Sequence, residues 1–115
     1  MRPIPKSVLI HSAGIYAETK GDWGTSGLKK LGDYKLIRIE PSSKVVRDKN
    51  NKELQLSALL LFDCKNSQGD TGILKEDNIV DFQGDKYRIA AVEPLFERRK
   101  LHHYEVGMVK YAGKY

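Results

Sequence analysis

Between Leu74 and Leu95 the chain reads LKEDNIVDFQGDKYRIAAVEPL. Ile79, Val80 and Phe82 form a short apolar run, Gln83-Gly84-Asp85 turns the chain, and Tyr87, Ile89 and Ala91 then alternate with Lys86, Arg88 and Ala90. Two such runs around a glycine-centred turn predict a β-hairpin. Leu54–Phe62, LQLSALLLF, predicts another strand. Its residues Leu54, Leu56, Ala58, Leu60 and Phe62 fall on one face and read as core, because side chains alternate along a strand. The opposite face carries Leu59 and Leu61. These leucines call for a cover, either a neighbouring subunit or a loop of the same chain.

The remaining elements follow the same logic. Val8–Tyr16 predicts an opening strand with apolar groups on both faces, in which Ser12 and Gly14 fit a bulge. Tyr34–Glu40 predicts a strand limited by Pro41, followed by extended chain over Ser42–Arg47 and a polar turn over Asp48–Lys52. Leu101–Tyr111 predicts the last strand, with Tyr104, Val106 and Met108 facing one way, and Gly107 marks a bulge or a close approach of another backbone. Glu93–Lys100 reads as a linker with a charged centre. Arg2-Pro-Ile-Pro-Lys6 reads as an extended arm, since its prolines disfavour helix. No segment predicts a helix. About six strands at this spacing imply an all-β, small antiparallel barrel, closed or partly closed, or a sandwich.

Two segments lack periodicity. Glu18–Asp33 holds Gly21, Gly24, Gly27 and Gly32, and predicts a long glycine-rich loop after the first strand. Loops of this length in compact domains are usually functional. Its Trp23 is read first as an anchor on the barrel and second as an exposed contact. The sequence GDWGTSG is no phosphate cradle, because no Gly-Lys-Ser/Thr follows. Asn66–Gly72 predicts a second, shorter flexible loop backed by Lys65 and Lys75.

The chain has 115 residues, which fits a single domain. No apolar run approaches the ~20 residues of a membrane span, and the N-terminus carries too short an apolar run for a signal peptide, so synthesis in a cytosol is expected. The net charge of +5 favours anionic partners such as nucleic acid, but the charge is dispersed. Only Lys29-Lys30 and Arg98-Arg99-Lys100 are tight clusters, and the plain reading of most of it is solvated surface.

Little of the chain suggests chemistry. The lone Cys64 rules out an internal disulfide, and His11, His102 and His103 stand at no zinc-like spacing from it. Adjacent histidines on a strand point to opposite faces and do not share an ion without a kink. Ser42-Ser43 lacks an identifiable base, and Glu76, Asp77 and Asp81 match no calcium loop. The expectation is a non-enzyme with no cofactor, no metal site and no catalytic residue.

The wording of the strands carries the reading further. IEPSSKVVRDKNNKELQLSALLLFDC, over Ile39–Cys64, resembles the central block of the minor capsid proteins encoded beside the head genes of tailed phages of Gram-positive bacteria. VLIHSAGIY is similar to their opening strand and KYRIAAVEPLFERRKLHHYEVGMV to their closing segment, so the resemblance spans roughly Ile4–Lys110. More loosely, the order of parts is similar to head-tail joining, or stopper, proteins. The resemblance implies a virion protein of the capsid neck, made in the host cytoplasm. It implies a ring under the portal or adaptor that closes the DNA channel after packaging and docks the tail or a tail-completion protein. Double-stranded DNA would pass through the ring. Within that reading, Gly21, Asp22, Trp23, Gly24, Gly27, Lys29 and Lys30 form the channel or docking loop. Leu59, Leu61, Arg2 and Pro3 form the subunit interface. The alternatives are a small basic nucleic-acid-binding barrel of the OB type, in which Tyr16, Trp23, Tyr34 and Tyr111 offer stacking surfaces while Tyr87 and Tyr104 read as core, and a tail-completion protein.

Overall fold

The computed structural model describes residues 3–20, 26–47 and 50–111. Among these residues eight strands run in chain order: β1 (His11–Lys20), β2 (Ser26–Pro41), β3 (Val45–Arg47), β4 (Glu53–Gln55), β5 (Ala58–Asp63), β6 (Ile79–Phe82), β7 (Asp85–Glu97) and β8 (Lys100–Lys110). A single 3-10 turn at Thr71–Ile73 is the only helical element among the described residues. Six strands form an antiparallel sheet in the order β1-β2-β5-β8-β7-β6, and β6 pairs back onto β1 to close the ring. Strands β3 and β4 form a separate two-stranded flap. The all-β barrel expected from the pattern is the fold.

Closure of so small a sheet demands strong local bending, which extra residues in a strand supply. The pairing skips Leu31 and Leu36 on β2, Ala90 on β7 and His102 on β8. Leu36 takes a positive φ of 55°, and its carbonyl accepts a hydrogen bond from the Ser67 hydroxyl. Between the bulges, alternation directs Ile15, Ile37, Leu60, Ile89, Val106 and Met108 inward, each with 0 % exposure. Burying an aliphatic side chain of this size contributes about 1.5–3 kcal/mol, so this interior supplies most of the cohesion.

Several boundaries differ from the pattern. The first strand starts at His11 rather than Val8, because Val8 and Leu9 donate their N–H groups to the carbonyls of Pro5 and Lys6 in a turn. The stretch 18–33 is mostly paired strand: Glu18 faces Leu28, Thr19 faces Gly27, and Lys20 faces Ser26. Backbone pairing does not need side-chain periodicity, which is why the glycine-rich composition was misleading here. Similarly, the expected linker 93–100 is the end of a long hairpin in which Glu97 faces Lys100 across a two-residue Arg98-Arg99 turn. Pro94 is tolerated because β6 pairs with β7 only as far as Arg88, leaving one side of β7 without a ladder to satisfy.

The expected row of five core residues breaks after Leu56. Leu54 is half-buried on the flap, and Leu56 is buried but lies outside the main core, with its side chain over Gly107. A Cβ on Gly107 would stand 2.9 Å from Leu56 Cδ1, so what approaches that glycine closely is a side chain and not the expected second backbone. The segment 66–72 is not a free loop. Lys35 and Gln68 exchange both backbone hydrogen bonds, at 3.0 and 2.9 Å. Gly69, at φ +146°, lies against the Tyr34 ring with no room for a Cβ, and the Tyr34 hydroxyl donates to the Asp70 carbonyl.

Candidate assembly surfaces

Strand directions place the Lys20–Ser26 end of the β1–β2 pair and the β7–β8 turn at the same end of the barrel, where β5 also ends. The molecule is elongated, 50 × 29 × 24 Å. Gly27, Lys29 and Lys30 sit on the stem of the β1–β2 hairpin, opposite Thr19, Ala17 and Tyr16. Lys29 is exposed, and Lys30 pairs with Asp33 at 3.0 Å. The hydrogen bond to Asp33, and then its charge, hold the Lys30 ammonium above its ordinary pKa. Gly21, Asp22, Trp23 and Gly24 lie outside the described residues.

Leu59 and Leu61 alternate with the inward Ala58, Leu60 and Phe62, so they face out of the barrel, and both are half-buried. Leu59 lies between Glu40 and Gly107, and Leu61 between Arg38 and Glu105. Arg38 binds Glu40 at 3.0 Å, and His103 lies 3.3 Å from Glu105. The result is a narrow aliphatic stripe flanked on each side by a polar pair.

Arg2 lies outside the described residues. Pro3 lines a cleft of about 530 Å³ with Asp63, Cys64, Lys65, Glu97, Lys100, Leu101 and His102. The next residue is fixed to the barrel. Ile4 donates its N–H to Asp63 Oδ1 at 3.0 Å, and its carbonyl accepts from Asn66 Nδ2 at 2.8 Å. Asp63 Oδ2 accepts from the N–H groups of Lys65 (3.1 Å) and Asn66 (2.7 Å). The Asp63 N–H donates to Ser67 Oγ at 2.9 Å. Asp63 occupies an outward position beyond Phe62 yet is 0 % exposed, because the arm and the following turn cover it. A buried carboxylate requires this degree of satisfaction. An Asp at the end of a strand, with Ser four residues on, is a local turn signal; the Ile4 partner has no signal of its own.

The histidines divide in two. His11 Nδ1 accepts the Ile39 N–H at 3.0 Å, and its ring meets Phe82 edge-on at 4.8 Å. The bulge at His102 supplies the kink that lets adjacent histidines meet, and Nδ1 of His102 lies 2.7 Å from Nδ1 of His103. Burial, and then the charge of Asp63, push the Cys64 thiol above its ordinary pKa. That is the reverse of what activates a nucleophile. Among the described residues no three metal-binding side chains come together.

The model of the family described as "Minor capsid protein" matches residues 5–108. The chain belongs to this family. It is therefore a phage minor capsid protein, a structural component of the virion, and the family points away from catalysis. The structure of XkdH, a protein of the phage-like element PBSX of Bacillus subtilis, is similar over 87 % of this chain and 92 % of that one, with 14 % identity and a TM-score of 0.44. No curated protein matches the sequence. For this minor capsid protein the stripe, the cleft and the two hairpins are the candidate assembly surfaces.

Proposed function

We propose that this minor capsid protein is a subunit of the head-tail connector. In this reading copies form a ring beneath the portal or adaptor, close the DNA channel after packaging and present a platform to the tail or its completion protein. The observation that carries the reading is the pair of hairpins at one end of a closed barrel. The β1–β2 hairpin continues for four residues of β1 beyond Tyr16, the last β1 residue paired with β6, a reach of roughly 13 Å. A rigid barrel with such projections suits a ring in which walls pack sideways and hairpins approach the axis. Cyclic contacts join two different patches of each subunit, and the Leu59–Leu61 stripe and the Pro3 side of the arm are assigned to them.

Cryo-electron microscopy of the particle neck tests the reading, together with a deletion within 21–27. The expected result is a ring of this barrel below the portal, and a deletion variant that folds but yields filled heads that leak DNA or fail to join tails. Normal phage yield from the variant would remove the hairpin's role, and location elsewhere in the particle would remove the ring. Leu59→Asp with Leu61→Asp should give a soluble, folded chain that fails to assemble; intact particles would reassign the interface.

A further inference from the structure

We infer that the tip of the β7–β8 hairpin, Arg98-Arg99-Lys100, binds the phosphate backbone of duplex DNA. The inference rests on the connector reading for its biological setting, and on three observations for its chemistry.

The first is a broken turn rule. Among the described residues, five other than glycine have positive φ: Leu36, Asn51, Asp77, Gln83 and Arg98. Asn and Asp tolerate that conformation, Gln83 is followed by Gly84 at φ 88°, and the Leu36 carbonyl is held by Ser67. Arg98 has φ 57° and is followed by a second arginine. Two-residue hairpin turns favour Gly, Asn or Asp there, so the fold itself gains nothing from arginine. Local rules broken without a local benefit mark positions kept for contact.

The second is pairing. Arg38, Arg47 and Arg88 each bind a carboxylate, on Glu40, Glu53 and Asp77 at 3.0, 3.6 and 3.2 Å. Arg98 and Arg99 are exposed and make no ion pair with any described residue. The third is company. Lys65 lines the cleft at the base of this tip beside Lys100, Glu97 and the hydrogen-bonded Asp63, which adds one further cation to the same end. Guanidinium groups match phosphate geometry, and a sequence-independent backbone contact needs only such a cluster.

The test is a titration of the full chain with a short, mixed-sequence labelled duplex across a salt series, comparing wild type with Arg98→Gly/Arg99→Asn. The substitutions suit the turn, so the variant should melt at the wild-type temperature or above it. Its duplex affinity should fall about tenfold at low salt, and the slope of log K against log salt should shrink by about 2. An unchanged slope and affinity in a folded variant would overturn the assignment. So would retained DNA binding with failure of the variant to enter particles, which would identify an acidic protein surface as the partner. Reduced DNA binding by the variant supports the assignment even if wild type is absent from the neck, in which case only the ring reading fails.

Discussion

Leu60 and Asp63 stand on the same strand and both are wholly shielded from solvent, yet their burial rests on different physics. Leu60 points into the barrel among Ile37, Val106 and Met108, members of one apolar core. Its stabilisation is non-directional and scales with the area removed from water. Asp63 points out of the barrel and is covered by its own hydrogen-bond partners, Ile4, Lys65, Asn66 and Ser67. Its stabilisation depends on donors aimed at two oxygens. Apolar burial forgives changes of shape, whereas polar burial fails when one partner leaves.

The largest effect should come from forcing one kind of burial into the place of the other. Leu60→Asp puts a charge in the barrel with no donor to meet it and should abolish the folded state. Leu60→Met should cost less than about 1.5 kcal/mol. Circular dichroism and urea unfolding of both variants check the contrast; a folded Leu60→Asp protein would mean that the barrel interior is wet. Asp63→Ala should be next, destabilising by about 3 kcal/mol, since it leaves the N–H groups of Ile4, Lys65 and Asn66 without their acceptor. It should also free the arm, so that trypsin cuts after Lys6 faster than in wild type. Loss of stability without faster cleavage would show that the arm is held by something other than this carboxylate.

The same contrast explains what was legible in the sequence. Ile15, Ile37, Leu60, Val106 and Met108 lie on predicted strands and are all core, because period-two alternation reports a side chain's face directly. The Asp63 knot was not legible, since its key donor lies 59 positions away at Ile4 and nothing in an Arg-Pro-Ile-Pro arm announces it. The two long hairpins were missed for another reason. Their outer halves carry no period-two apolar pattern, so glycines in one and charges in the other conceal the strands. Of the residues assigned to assembly, Gly27, Lys29 and Lys30 fall on a hairpin stem, and Leu59 and Leu61 on the outer wall. The Arg98-Arg99 cluster was visible as charge, but its placement at a strained tip required the register.

Tyr34 combines both physics in one side chain and gives the smallest, most diagnostic effect. Its ring is buried in the core, edge-on to Phe62 at 5.3 Å, while its hydroxyl donates to the Asp70 carbonyl. Tyr34→Phe keeps the apolar part and removes the polar one, so at neutral pH it should cost about 1 kcal/mol. Burial, then the charge of Asp70, then Tyr104 push the Tyr34 pKa well above its ordinary value. In the unfolded chain the phenol ionises near pH 10. Above that pH the unfolded state gains an ionised form that the folded state resists, so wild type loses stability as pH rises toward the raised folded value. Phenylalanine has no proton to lose, and the other tyrosines are common to both proteins. The gap in urea midpoint between wild type and Tyr34→Phe should therefore narrow as pH rises from 7 past about 10. A constant gap would mean that the Tyr34 hydroxyl reaches water, and that the 66–72 segment does not seal the barrel as its hydrogen bonds to β2 imply.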